Sequence, residues 1–211
     1  MKKVEEMTQP DFLSTAFGVV NLLDGTDRKI VLADFYESAE RIRVGEAAPE
    51  QVRSYMEAVK TLYAYGWFYY PFFTLSAFMA TTAVEMALRV RLQKGRNDHS
   101  GLKALFEEGI RQGLLRDEGF PSREAVQESK AAMFGQDAEP PEAPPAGEAP
   151  SYSETVAEWM RYFRNVFAHP SGHWILFPGQ AINFLTLAGE VINQLWPGEP
   201  SDLAGNSGSG A

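Results

Sequence analysis

The run Arg164-Asn165-Val166-Phe167-Ala168-His169-Pro170 places a guanidinium, a carboxamide and an imidazole within a few positions of one another. These residue types suit work on a phosphodiester. A guanidinium stabilises a crowded anionic phosphate by charge and paired hydrogen bonds, and an imidazole titrating near neutrality gives or takes a proton. With RNA as substrate the 2′-hydroxyl supplies the nucleophile, so the reaction needs no metal. Taken alone, the same residues also fit the polar face and end of a surface helix, because arginine and histidine at this spacing recur by chance.

The element that must position them is a helix opening at Ser151-Tyr152-Ser153-Glu154, where Ser151 and Glu154 fit a capping box. Val156, Trp159, Met160, Phe163, Val166 and Phe167 form its apolar stripe. At about 100° per residue, the stripe covers an arc of about 120°. Asn165 falls opposite that arc, with Arg161 toward the outward side and Arg164 at the edge of the stripe. Continued helical geometry puts His169 on the face of Asn165, one turn on, with Ala168 leaving space beside it. Pro170 disfavours helical backbone at the histidine, which is expected on the last turn or just outside it. The three side chains can therefore converge on something outside their own core.

The rest of the chain reads as helical scaffold. Helical spacing runs from Phe12 to Val20, ended by the turn cluster Asp24-Gly25-Thr26. A second helix is expected from about Arg28 to Val44, closed by Gly45. A third follows Pro49, with Val52, Tyr55, Met56, Val59, Leu62 and Tyr63 on one stripe. Residues 61–84 contain no charge, which is long enough to raise a membrane span. Nine of those positions are aromatic, Pro71 interrupts them, and Thr74, Ser76, Thr81 and Thr82 add polarity. These features favour a helix starting near Pro71 at the centre of a bundle. Ser100 is the expected cap of the next helix, whose buried face carries Leu102, Leu105, Phe106, Ile110 and Leu114. Asp117 to Pro121 breaks it, and a further helical piece is expected between Ser122 and Gly135. The last helix starts at Pro178-Gly179, with Ile182, Leu185, Ala188, Gly189, Ile192 and Leu195 facing the core. With no alternating strand pattern and no repeat, the fold class is all-α.

Three segments follow from this layout: 1–64 as an N-terminal helical extension, 65–196 as the main helical domain, and 197–211 as a disordered tail. Residues 136–150 carry five prolines and four acids, and form a flexible acidic Pro-rich linker interrupting the domain. The net charge of −9 disfavours nucleic acid at first sight. Six of those charges, however, lie in 136–150 and 197–211, so the folded part is nearly balanced. Within it, Arg89, Arg91, Lys94, Arg96 and Lys103 form a basic cluster, which reads either as an RNA-contacting patch or as a solvated helix end. Glu85 and Arg89, at i and i+4, fit a local ion pair as well as a place at the site. Cysteine is absent and the three histidines share no ligand spacing, so no metal or cofactor is expected. The N-terminus lacks the apolar core of a secretory signal, and a cytoplasmic location is the expectation.

Arg164-Asn165-Val166-Phe167-Ala168-His169 resembles the signature of the HEPN superfamily: arginine, a polar residue, a few further positions, then histidine. The layout from the apolar helix ending in Ala83-Val84-Glu85-Met86-Ala87-Leu88-Arg89, through Leu102 to Leu115 and the motif helix to a closing helix, is also similar to it. The resemblance covers roughly residues 65–196. It implies a HEPN-like bundle of four to five core helices, with additional N-terminal helices here, that forms a homodimer with two motifs around one cleft. It further implies a metal-independent endoribonuclease of a toxin–antitoxin, phage-defence or stress-response system, held in check by an antitoxin or regulatory protein. Carried over, Arg164 binds the scissile phosphate, His169 acts in proton transfer, and Asn165 orients the histidine or the phosphate. Glu85, Arg89, Arg161 and His173 are substrate-binding candidates around the cleft. Because the superfamily also contains members without catalysis, a HEPN-like RNA-binding, nucleotide-binding or protein-interaction module is the alternative.

Overall fold

A computed structural model describes residues 3–20, 27–95, 97–123, 150–168 and 175–198. Among these, seven α-helices account for nearly all regular structure: α1 (Phe12–Thr15), α2 (Leu32–Glu40), α3 (Glu50–Tyr65), α4 (Pro71–Arg91), α5 (Leu102–Arg111), α6 (Tyr152–Ala168) and α7 (Pro178–Leu195). The fold is all-α, and among the described residues the one exception is a short antiparallel ribbon, β1 (Gly18–Val20) with β2 (Asp27–Lys29), in which Gly18 pairs with Lys29 and Val20 with Asp27.

That ribbon corrects two sequence expectations. The first helix stops at Thr15, where the Thr15 hydroxyl donates to Phe12 O and the Ala16 N–H tightens onto Leu13 O. The second starts at Leu32 rather than near Arg28, because Asp27–Lys29 is committed to the ribbon, and it ends at Glu40, before Gly45. Asp34 fixes this corner: its carboxylate accepts from the Val31 N–H (2.8 Å) and from the Arg28 guanidinium. The Arg28 hydrogen bond is the main reason its pKa falls to about 2. The turn cluster at 24–26, and the helical piece expected after Ser122 from residue 124 onward, lie outside the described residues, as do the acidic segment 136–149 and the tail from 199.

α4 is the centre. Pro71 occupies its first turn, where a missing N–H leaves no intrahelical bond unmade. α3 and α7 pack on it most extensively, and α5 and α6 also reach it. Its buried residues, Phe73, Ser76, Ala77, Ala80, Thr81, Ala83, Val84, Ala87 and Leu88, are mostly small and wrap nearly half of the helix circumference. This packing accounts for the uncharged run: α4 is long and apolar enough to cross a membrane, but half of its apolar window is buried against its neighbours. The aromatics of that run are core material as well. Phe35, Tyr63, Tyr70 and Phe73 form a chain of ring contacts at 5.1–6.0 Å, and Trp67 joins it through Phe35 at 5.9 Å. Gly66 is required in this chain, because a Cβ there would lie 2.5 Å from the Phe73 ring.

The residues of 1–64 share this core. Phe35, Val52, Met56 and Val59 belong to the same apolar cluster as α4 and α7. Asp11 clips the N-terminus to the α3–α4 corner through its N–H on Trp67 O (2.8 Å) and its carboxylate on the Tyr70 N–H (3.2 Å). α5 begins at Gly101 without a side-chain cap, so Ser100 does not have the role expected of it. Ser100 is used instead as a carbonyl acceptor for Arg89.

Candidate functional site

α6 follows the expected phase. Val156, Trp159, Met160 and Phe163 are buried, Val166 and Phe167 half-buried, and Tyr162 and Asn165 exposed. Phe184 of α7 receives the stripe, with Trp159 stacked on it at 5.1 Å and Phe163 meeting it edge-on at 4.7 Å. Phe78 of α4 closes on Phe167. These rings fix the rotation of α6, and with it the direction of Arg164 and Asn165. The capping box forms as expected: the Ser151 N–H donates to Glu154 (2.8 Å) and the Glu154 N–H to the Ser151 hydroxyl (3.3 Å).

A second cap comes from outside the helix. Asp117, in the short 3₁₀ turn Asp117–Gly119, accepts from the Tyr152 N–H (2.7 Å), the Ser153 N–H (2.9 Å) and the Ser153 hydroxyl (2.8 Å). Burial works against its charge, but these hydrogen bonds outweigh it and its pKa is lowered. The helix carrying the motif is therefore tied at its start to the segment that follows α5.

Near its other end, Arg164 is drawn to α4. Its Nη2 lies 3.6 Å from Glu85 Oε2, and the Arg164 side chain is 40% exposed against 18% for Glu85. At 3.6 Å the contact is an ion pair and not a hydrogen bond. Among the described residues, none is hydrogen-bonded to the Arg164 guanidinium, and its one ion-pair partner is Glu85. Glu85 also receives Arg89, whose Nε and Nη2 donate to Oε1 at 3.2 and 3.1 Å. The local ion pair expected at i and i+4 is thus present. Asn165 projects to solvent one position from Arg164.

The fold brings Arg164, Glu85 and Arg89 together and sets Arg161 apart. Arg161 donates to Glu158 (2.8 Å), which also takes Lys103 of α5 (2.6 Å). Lys103 is the main cause of the lowered Glu158 pKa. Lys94 lies 3.5 Å from Asp98, and Arg91 is exposed. The basic cluster is therefore largely matched by acids, and Glu158 is the member that linear reading missed. Its i, i+3 relation to Arg161 was visible in the sequence, whereas its contact with Lys103 spans two helices. His169, His173 and Arg96 lie outside the described residues. Among the described residues no group of His, Asp or Glu is arranged to hold a metal ion.

No protein-family model matches the chain, and no curated protein or solved structure matches it either.

Proposed function

We infer that the chain is a metal-independent endoribonuclease of HEPN type. The observation that carries this reading is the state of Arg164: a half-exposed guanidinium, free of hydrogen bonds to the described residues, on the face of α6 that continues to Asn165. Arg89, Glu85 and Arg164 together carry one net positive charge, which a single phosphodiester neutralises. In the proposed reaction the RNA 2′-oxygen bonds to phosphorus as the bond to the 5′-oxygen breaks, and Arg164 stabilises the charge that accumulates on the phosphoryl oxygens. His169 moves a proton, either from the 2′-hydroxyl or to the departing 5′-oxygen, and Asn165 orients imidazole or phosphate. One motif supplies a single arginine and a single histidine, so the enclosed site is assigned to a homodimer. An antitoxin or regulatory protein is the assigned brake, and the cytoplasm the assigned compartment.

A second reading, a HEPN-like module that binds RNA, nucleotide or protein without cleaving, draws on the pairing of Lys103 and Arg161 with Glu158, which leaves little net positive surface. Substitution separates the two readings. For a nuclease, Arg164→Ala and His169→Ala each lower RNA cleavage by about a hundredfold or more while leaving the melting temperature unchanged. Binding without cleavage by the wild-type chain, undiminished in His169→Ala, supports the module.

A further inference from the structure

We propose that Glu85 is an internal carboxylate competitor for the anion position of Arg164, and that Arg89 is the positioning residue that holds it back. The proposal rests on reading Arg164 as a phosphate ligand. Arg89 makes four hydrogen bonds: two to Glu85 Oε1, one from Nη1 to Asp98 O (3.0 Å) and one from Nη2 to Ser100 O (2.6 Å). A guanidinium has five N–H donors, so Arg89 has one left and is poorly placed to serve substrate itself. This moves Arg89 from the substrate-binding set to a supporting role.

The geometry gives that role a direction. Arg89 takes Oε1 of Glu85, and Oε2 faces Arg164 at a distance too long for a hydrogen bond. A carboxylate free of Arg89 can turn both oxygens to Arg164 and form the forked pair that guanidinium and carboxylate favour. That fork is the one a phosphate needs. Arg89 is anchored in turn by the loop after α4, which begins at Gln93 in the left-handed region (φ 53°), a conformation unfavourable for a non-glycine residue. The loop 98–100 thus sets Arg89, Arg89 sets Glu85, and Glu85 sets how open Arg164 is.

The test uses the full chain and inorganic phosphate, followed through the Arg164 Nε–H resonance, which is assigned by its loss in Arg164→Lys. Arg89→Lys keeps the charge and removes the fork. It weakens phosphate binding by about fivefold, whereas Glu85→Gln strengthens it by a similar factor. Arg89→Lys combined with Glu85→Gln binds like Glu85→Gln alone, because Arg89 acts only through the carboxylate. Equal weakening by Arg89→Lys in both backgrounds overturns the proposal and makes Arg89 a direct ligand. A second readout needs no phosphate. Rotation about the Arg164 Nε–Cζ bond, fast in the wild type, slows in Arg89→Lys as Glu85 closes on it, and unchanged rotation in a folded variant also overturns the proposal. A wild-type resonance that ignores phosphate contradicts the nuclease reading instead, and the rotation measurement still decides the roles of Arg89 and Glu85.

Discussion

Three acidic side chains show how context decides what a carboxylate does. Glu85 lies between the guanidiniums of Arg89 and Arg164; Asp117 is ionised and caps a helix; Glu190 of α7 is largely buried and accepts from the Ser122 N–H (2.9 Å) and hydroxyl (2.8 Å). Burial is the leading influence on Glu190, and it raises the pKa despite both hydrogen bonds. A carboxyl whose folded pKa is raised contributes its stability below the unfolded value and loses it as pH rises through the folded one. Glu190→Gln, which keeps the acceptor and drops the charge, is therefore expected to melt above the wild type at pH 7.5. The gap should shrink as pH falls toward 4.5, the ordinary glutamate value. Thermal melts across that range check it, and a variant less stable at neutral pH would show that Ser122 favours the charged form more than burial opposes it.

At the scale of elements, α6 carries the functional argument and two caps hold its start. The capping box of Ser151 and Glu154 was legible in the sequence because its partners are three residues apart, and the apolar phase of α6 was legible for the same local reason. Asp117 was not: it lies 35 residues before Tyr152, across a stretch that linear pattern cannot fold. The β1–β2 ribbon was missed because three-residue strands are too short to show alternation, while Phe12 to Val20 happens to fit helical spacing. Lys103 with Glu158 was hidden because an ion pair between two helices depends on their packing, which follows from Trp159, Phe163 and Phe184 and not from charge. Asp117→Asn tests the remote cap. An amide keeps one acceptor and sets an NH₂ against an N–H donor, so a loss of about 1–2 kcal/mol is expected. For a chain of this length that corresponds to a fall of roughly 2–8 °C. Faster amide exchange confined to the first turn of α6 is the local signature, and unchanged exchange there would show that Asp117 does not stabilise the start of α6.

For the whole molecule, a single core joins residues assigned to the N-terminal extension with the helices that carry the motif, so α2 and α3 help fix α4, and α4 fixes Glu85 and Arg89. The assigned site is incomplete in one copy, and sedimentation at micromolar concentration should therefore give a dimer; a strict monomer with full cleavage activity would remove the two-fold site. The nuclease assignment itself is tested by the chemistry of the products. The most direct measurement is end-group analysis of RNA incubated with the purified chain in EDTA. Attack by the 2′-hydroxyl predicts fragments ending in 2′,3′-cyclic phosphate with 5′-hydroxyl partners, absent with His169→Ala. Intact RNA, or fragments with 3′-hydroxyl ends that form only when divalent ions are added, would contradict it.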